Sequence, residues 1–238
     1  MGLLWIFVGW LWARGAEGES QRSMRVLAVG NMPPFRQEVR DGVRYELPPP
    51  PGSIPPRTLG LVRMLEQTAE ERGEFRVHLG RISAEIELPE GVARLRLVGD
   101  GGTPWTTLSC PEEGDFLLLL WRDPLVGDWS KPRTKVVPDE REAGMVKFLN
   151  VSRRTVALVV GGRSQALRPL QTWKAPLSGS EPVSFQLGQV RQGGRLERAI
   201  SVALEQSDDE STLVILSDSD GERVRKPLKV TRLRERVR

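Results

Sequence analysis

The sequence predicts an all-β protein, built as two β-sandwich domains in tandem with one short helix inserted in the first. Three observations predict this. Short apolar or alternating runs recur along the whole chain, separated by Gly, Pro, Asp and Ser clusters. One pattern occurs twice, as "GDFLLLLWRDPLVGDWSKP" at 114–132 and as "ESTLVILSDSDGERVRKP" at 210–227. A chain of 238 residues with 39% hydrophobic content can bury a substantial core and suits two ordinary domains.

The first residues, "MGLLWIFVGWLWARGAEGES", differ from the rest. Leu3 to Ala13 is an uncharged apolar run, shorter than the roughly 20 residues of a membrane span. A short apolar core followed by small residues reads as a secretory signal peptide over 1–16, with cleavage near Gly15 or Ala16. No Lys or Arg precedes the run, which leaves a buried N-terminal strand as the alternative. The expected address is therefore export, periplasmic or extracellular, with no membrane span in the mature chain.

Strands are expected at 25–29, 75–80, 84–88, 92–99, 116–121 and 134–137. A second series follows at 146–151, 155–160, 183–188, 200–205, 212–216 and 228–233. In "VARLRLVG" Arg94 and Arg96 alternate with Leu95 and Leu97, as on a half-buried strand. The Gly161-Gly162 pair marks a tight hairpin. "FLLLLW" and "VALVV" are apolar on both faces, so each needs cover on two sides. Only 59–73 reads as helix, with Leu61, Met64, Leu65 and Ala69 on one face and Gly73 as the stop. The proline-rich stretch 46–57 reads as a stiff connector or edge segment, because proline lacks the donor and fixes φ.

The repeat gives the domain boundaries. Leu117 aligns with Leu213 at an offset of 96, and Lys131-Pro132 meets Lys226-Pro227 at 95. "FRVHLGRI" (75–82) lies over "VSFQLGQV" (183–190) at 108, and Val26 meets Val146 at 120. The shrinking offset places extra residues of the first copy before Phe75 and between Ile82 and Leu117. Domains over 24–138 and 145–235 follow. A single large sandwich is the alternative.

"MVKFLNVSRRTVALVVGG" (145–162) resembles the opening hairpin of secreted bacterial immunoglobulin-like β-sandwich modules. There an apolar strand reaches an Asn, turns, and is followed by a second apolar strand ending in Gly. The whole chain is similar to uncharacterised exported bacterial proteins. The resemblance implies an exported, immunoglobulin-like sandwich and carries over no catalytic residue.

The inventory restricts chemistry. His78 is the single histidine, so multi-histidine metal sites are excluded, and no G-x-S-x-G elbow exists to meet it in a triad. No phosphate-cradling glycine motif is present. Cys110 is the single cysteine, so no intramolecular disulfide forms; it reads as a small buried apolar residue. Asp208, Asp209 and Glu210 precede the 212–216 strand, and Asp218 and Asp220 follow it. The clusters are a strand apart, cannot share an ion, and read as hairpin turns. No cofactor, no metal and no catalytic residue is expected, which makes the chain non-enzymatic, although a carboxylate-only site stays open.

Net charge is +4, an excess too mild to indicate nucleic acid. It concentrates in the tail, where Arg225, Lys226, Lys229, Arg232 and Arg234 suggest a contact for an anionic glycan or lipid headgroup, against a plain charged edge strand. Trp129 is the best candidate for an exposed tryptophan, and with Trp173 it could stack on sugars if exposed on a sandwich, but burial at a domain junction is the leading reading of these rings. The leading expectation is a structural or protein-interaction module of the bacterial cell envelope, with an envelope protein as partner. Carbohydrate binding through exposed Trp is the alternative.

Overall fold

A computed structural model describes residues 22–64, 69–88, 91–177, 183–190, 196–219 and 226–237. The leader at 1–16 lies outside them. The N-terminal half holds β1 (Arg22–Val29), β2 (Gln37–Arg40), β3 (Val43–Glu46), β4 (Thr58–Met64), β5 (Ala69–Arg76), β6 (Ile86–Leu88), β7 (Arg94–Val98), β8 (Pro104–Ser109), β9 (Phe116–Trp121) and β10 (Arg133–Pro138). The C-terminal half holds β11 (Met145–Asn150), β12 (Val156–Val160), β13 (Arg163–Leu167), β14 (Thr172–Pro176), β15 (Val183–Val190), β16 (Leu196–Leu204), β17 (Glu210–Asp218) and β18 (Leu228–Arg236). The all-β class is as expected. Helix among the described residues is confined to a 3-10 turn at Asp100–Gly102, and none is long and apolar enough to cross a membrane.

Among the described residues four four-stranded sheets form, in the orders β10-β9-β1-β6 and β5-β4-β7-β8, then β14-β11-β17-β18 and β13-β12-β15-β16. β2 and β3 make a separate two-stranded ribbon. In each half the first strand runs parallel to the penultimate one, β1 beside β9 and β11 beside β17; the other ladders are antiparallel. Leaving out the ribbon, the two halves share one strand order and one set of pairings.

Each half has its own core between its two sheets. Alternation selects it: Met24, Val26 and Ala28 from β1 meet Leu59, Leu95 and Leu97. In the second half Val146 and Phe148 meet Leu158, Phe185 and Leu187. At β4 the approach to β7 is so close that a Cβ on Gly60 would stand 2.6 Å from a Val98 methyl.

A third cluster joins the halves. β9 is buried at every position: Phe116, Leu118 and Leu120 fill the first core, while Leu117, Leu119 and Trp121 point away from it. With Leu27, Val29 and Val137 they pack against Leu149, Val151 and Ile215 of the second half. The second cover that an all-apolar strand requires is the outer face of the other half. Ladder positions show that equivalent residues meet there. Leu27 pairs Leu119 in the first half as Leu149 pairs Ile215 in the second. Val137 pairs Leu117 as Leu233 pairs Leu213.

Three expectations are corrected. The helix over 59–73 is instead the β4–β5 hairpin at 58–64 and 69–76, with 65–68 outside the described residues. A register shift between Gly60 and Val62 buries both Leu61 and Val62, which breaks the period of two and mimics helical spacing. Phe75–Ile82 is not the counterpart of Val183–Val190. β15 lies between β12 and β16 as β7 lies between β4 and β8, so its match is Arg94–Val98. The supposed insertion at 99–111 accordingly contains β8, the counterpart of β16. The extra length of the first copy sits between β1 and β4, where 30–57 replaces the short 151–155 connection.

Candidate interaction surface

β1 and β9 are parallel, so the segments that follow them leave at the same end of the sheet. That end carries the ribbon. Asp41 (φ 52) and Gly42 (φ 80) form its two-residue turn, both in the left-handed region that a type I′ hairpin demands. Gln37 stands opposite Glu46, Glu38 opposite Tyr45, Val39 opposite Arg44 and Arg40 opposite Val43. Below them Leu47 donates its N–H to the Arg36 carbonyl at 2.9 Å. An Arg40–Glu38 ion pair of 2.7 Å spans one face. The apolar side chains do not turn inward: Phe35 is 69% exposed and Tyr45 50%, and Met32, Val39 and Val43 are exposed beside them.

The β9–β10 loop adds Leu125 and Val126, both exposed. Asp123 shapes it by accepting the Leu125 N–H at 3.0 Å and the Arg133 Nε at 2.9 Å. The Leu125 N–H, then Arg133, hold its carboxyl below the usual range. Asp128 accepts the Ser130 hydroxyl and N–H, which likewise lower it, and its Cβ packs on Gly52. The Gly52 carbonyl accepts the Trp129 N–H at 2.8 Å, which ties the proline-rich 46–57 stretch to this loop. The ribbon is thus an arm on an anchored base, and the second half has no counterpart to it among its described residues.

Trp129, the best candidate for an exposed tryptophan, is 1% exposed, in keeping with the buried reading. It lies in the first core beside Trp105, ring centroids 6.5 Å apart, and its carbonyl accepts the Trp105 indole N–H at 2.6 Å. Trp173 is half-buried and stacks on Phe148 at 5.7 Å.

The basic tail is also dispersed. Arg225 lies outside the described residues, and Lys226 is exposed. Lys229 reaches across the seam to the Gly30 carbonyl and the Asn31 side chain. Arg232 donates to the Ala203 carbonyl of β16 at 3.0 Å and Arg234 to that of Glu205 just beyond it, with Glu210 3.3 Å from the Arg234 Nε; both side chains remain exposed. Leu228 and Val230 face the second core, whereas Leu233 packs in the seam with the first half. Asp218 is held by the Arg153 N–H at 3.0 Å and by the Arg154 guanidinium at 3.3 Å, a turn anchor as its composition suggested. Asp220 lies outside the described residues. His78 is exposed, on a groove of about 520 Å³ with Glu74, Arg76 and Glu85.

Two features escaped the sequence reading. Arg25, buried in the seam, forks onto Asp139 (Nε to Oδ2 2.6 Å, Nη2 to Oδ1 2.7 Å) and also onto Glu235. Burial alone would lower its pKa, but hydrogen bonds and charge from Asp139 and Glu235 outweigh that and hold it above the usual value. Its lone charge within an apolar run was the available signal. The ribbon was the other: Asp-Gly between "QEVR" and "VRYE" is a strong short-range hairpin signal. No family model matches the chain, and no curated protein matches it.

Proposed function

We propose that the chain is an exported, non-enzymatic structural or protein-interaction module of the bacterial cell envelope, made of two tandem immunoglobulin-like sandwiches over 24–138 and 145–235. The shared strand order, one core per half and the packing of equivalent outer faces support a duplicated unit. The design is immunoglobulin-like in having two packed sheets; it departs from the immunoglobulin order in keeping β4 and β5 side by side in one sheet. The leader supports export.

The observation that carries the interaction reading is the arm at 32–46. Soluble surfaces scatter their exposed apolar groups, and a concentration of them on one projecting element marks a contact. The arm belongs to the one connection in which the halves differ by more than twenty residues, 30–57 against 151–155. Carbohydrate binding is less favoured because Trp129 is in the core, which leaves the half-buried Trp173 as its candidate ring. An anionic partner would share Arg232 and Arg234 with the Ala203 and Glu205 carbonyls to which they already donate.

The test is affinity capture from the envelope fraction with two baits, the intact chain and a chain whose Gln37–Glu46 is replaced by Asn-Gly. Arg36 and Leu47 already form a hydrogen-bonded pair, so a two-residue turn closes them. A stoichiometric protein held by the first bait and lost by the second is the expected result. Specific glycan capture, or a partner retained equally by both, overturns the reading.

A further inference from the structure

We propose that the arm pairs with the arm of a second copy of this chain, β3 against β3 in antiparallel register about Tyr45, to give a two-fold symmetric four-stranded sheet. The inference rests on the reading of the arm as the contact surface and names its partner.

A two-stranded ribbon is marginal alone in water and becomes stable with further strands. Among the described residues β2 and β3 have no sheet neighbour but each other, so each has an open edge. The Leu47 N–H is bonded inward to Arg36. By antiparallel alternation Val43 and Tyr45 also direct their backbone groups to β2, while those of Arg44 and Glu46 point out from the edge.

That constraint leaves few self-pairings. Centred on Arg44, the pairing sets Arg44 against itself across the dyad. Centred on Glu46, it sets Glu46 against itself and Arg44 against Pro48, which has no N–H to give. Centred on Tyr45, it sets each Arg44 against the other copy's Glu46, with all their outward groups exchanging hydrogen bonds. Tyr45 then meets Tyr45, and Val43 meets Leu47, on the opposite face. The strand "VRYEL" is charge-complementary to itself on one side and apolar on the other, the pattern of a self-recognising edge. The contact is isologous and closes at two copies.

Tyr45 would sit in a non-hydrogen-bonded pair, where Cα atoms stand about 4.5 Å apart, within disulfide reach. The test uses the full chain in a Cys110→Ser background. Tyr45→Cys is expected to give a disulfide-linked dimer under mild oxidation, and Val39→Cys on the other edge is not. In sedimentation, Arg44→Glu should weaken the dimer roughly tenfold by placing like charges opposite twice. Arg44→Glu with Glu46→Arg should restore it, which a merely structural role for either residue would not produce. Cross-linking through Val39→Cys instead, or failure of the double reversal to restore the dimer, overturns the pairing. A chain monomeric at all concentrations overturns it too; if its Asn-Gly variant still loses an envelope partner, the interaction reading stands without the pairing. If neither dimer nor partner depends on the arm, both fail.

Discussion

The two halves share a strand order, a core pattern and a packed outer face, and differ most in how the first strand passes to the opposite sheet. The C-terminal half does it with 151–155, the N-terminal half with 30–57. Asn150, at the last position of β11, makes the short route possible. It is fully buried; its amide donates to the Arg154 and Leu167 carbonyls at 2.7 and 2.9 Å, and its oxygen accepts from Ser152. The N-terminal half has Ala28 at the matching ladder position, Ala28 beside Leu120 as Asn150 is beside Leu216. The scaffold itself therefore needs only a clamped short turn. The long route is surplus to folding, and it carries the exposed apolar arm.

The halves also answer the same position with different chemistry at the seam. Arg25 and Lys147 occupy equivalent ladder positions, opposite Leu117 and Leu213. Arg25 and Asp139 are buried together, their side chains 7% and 8% exposed. Lys147 reaches the Pro138 carbonyl at 3.0 Å and an exposed Glu140 at 3.7 Å. Truncating Arg25 leaves an unpaired buried carboxylate, so Arg25→Ala should destabilise by about 3–5 kcal/mol in urea unfolding. Lys147→Ala should lose no more than about 1 kcal/mol. Equal costs would break the comparison.

Asn150→Ala should cost about 1–3 kcal/mol by the same measurement, because it orphans buried carbonyls at the short turn. Replacing Gln37–Glu46 by Asn-Gly should change stability by less than about 0.5 kcal/mol, since only exposed side chains and the half-exposed Glu38 go. A large loss there would mean that the arm belongs to the scaffold.

The smallest expected effect concerns Cys110, packed at the margin of the first core. Burial, opposed by the Arg22 charge, pushes its thiol up from 9.0 to about 11. Its alkylation at mildly alkaline pH should run roughly a hundredfold slower than that of an unperturbed thiol, following the smaller thiolate fraction. The folded state holds the proton more tightly than the unfolded chain. Its contribution to stability is therefore intact below the ordinary pKa of 9.0 and is lost as pH rises through about 11.

How much of this could be read from the residues depends on how each strand is covered. β9 announced itself because six apolar positions admit no solvent face, and its echo in β17 located the repeat at Leu117 and Leu213. β4 hid behind a bulge that paired Leu61 with Val62 on the buried side. β8 and β14 contain proline and lie at sheet edges, where alternation weakens. At Trp129 the polar neighbours Asp128 and Ser130 suggested exposure, but they hydrogen-bond to each other in a turn while the ring is buried. Arg25 and Asp139 are 114 residues apart, and only the seam brings them together.

Amide hydrogen exchange on the intact chain, at high dilution and then at high concentration, tests the comparison most directly. β1, β9, β11 and β17 should exchange together at the limit set by global unfolding, because they share one seam. Residues 37–46 should exchange fast when dilute, with Arg44 and Glu46 gaining protection on concentration. Different limits for the two halves, or an arm as protected as the seam in dilute solution, would contradict the account.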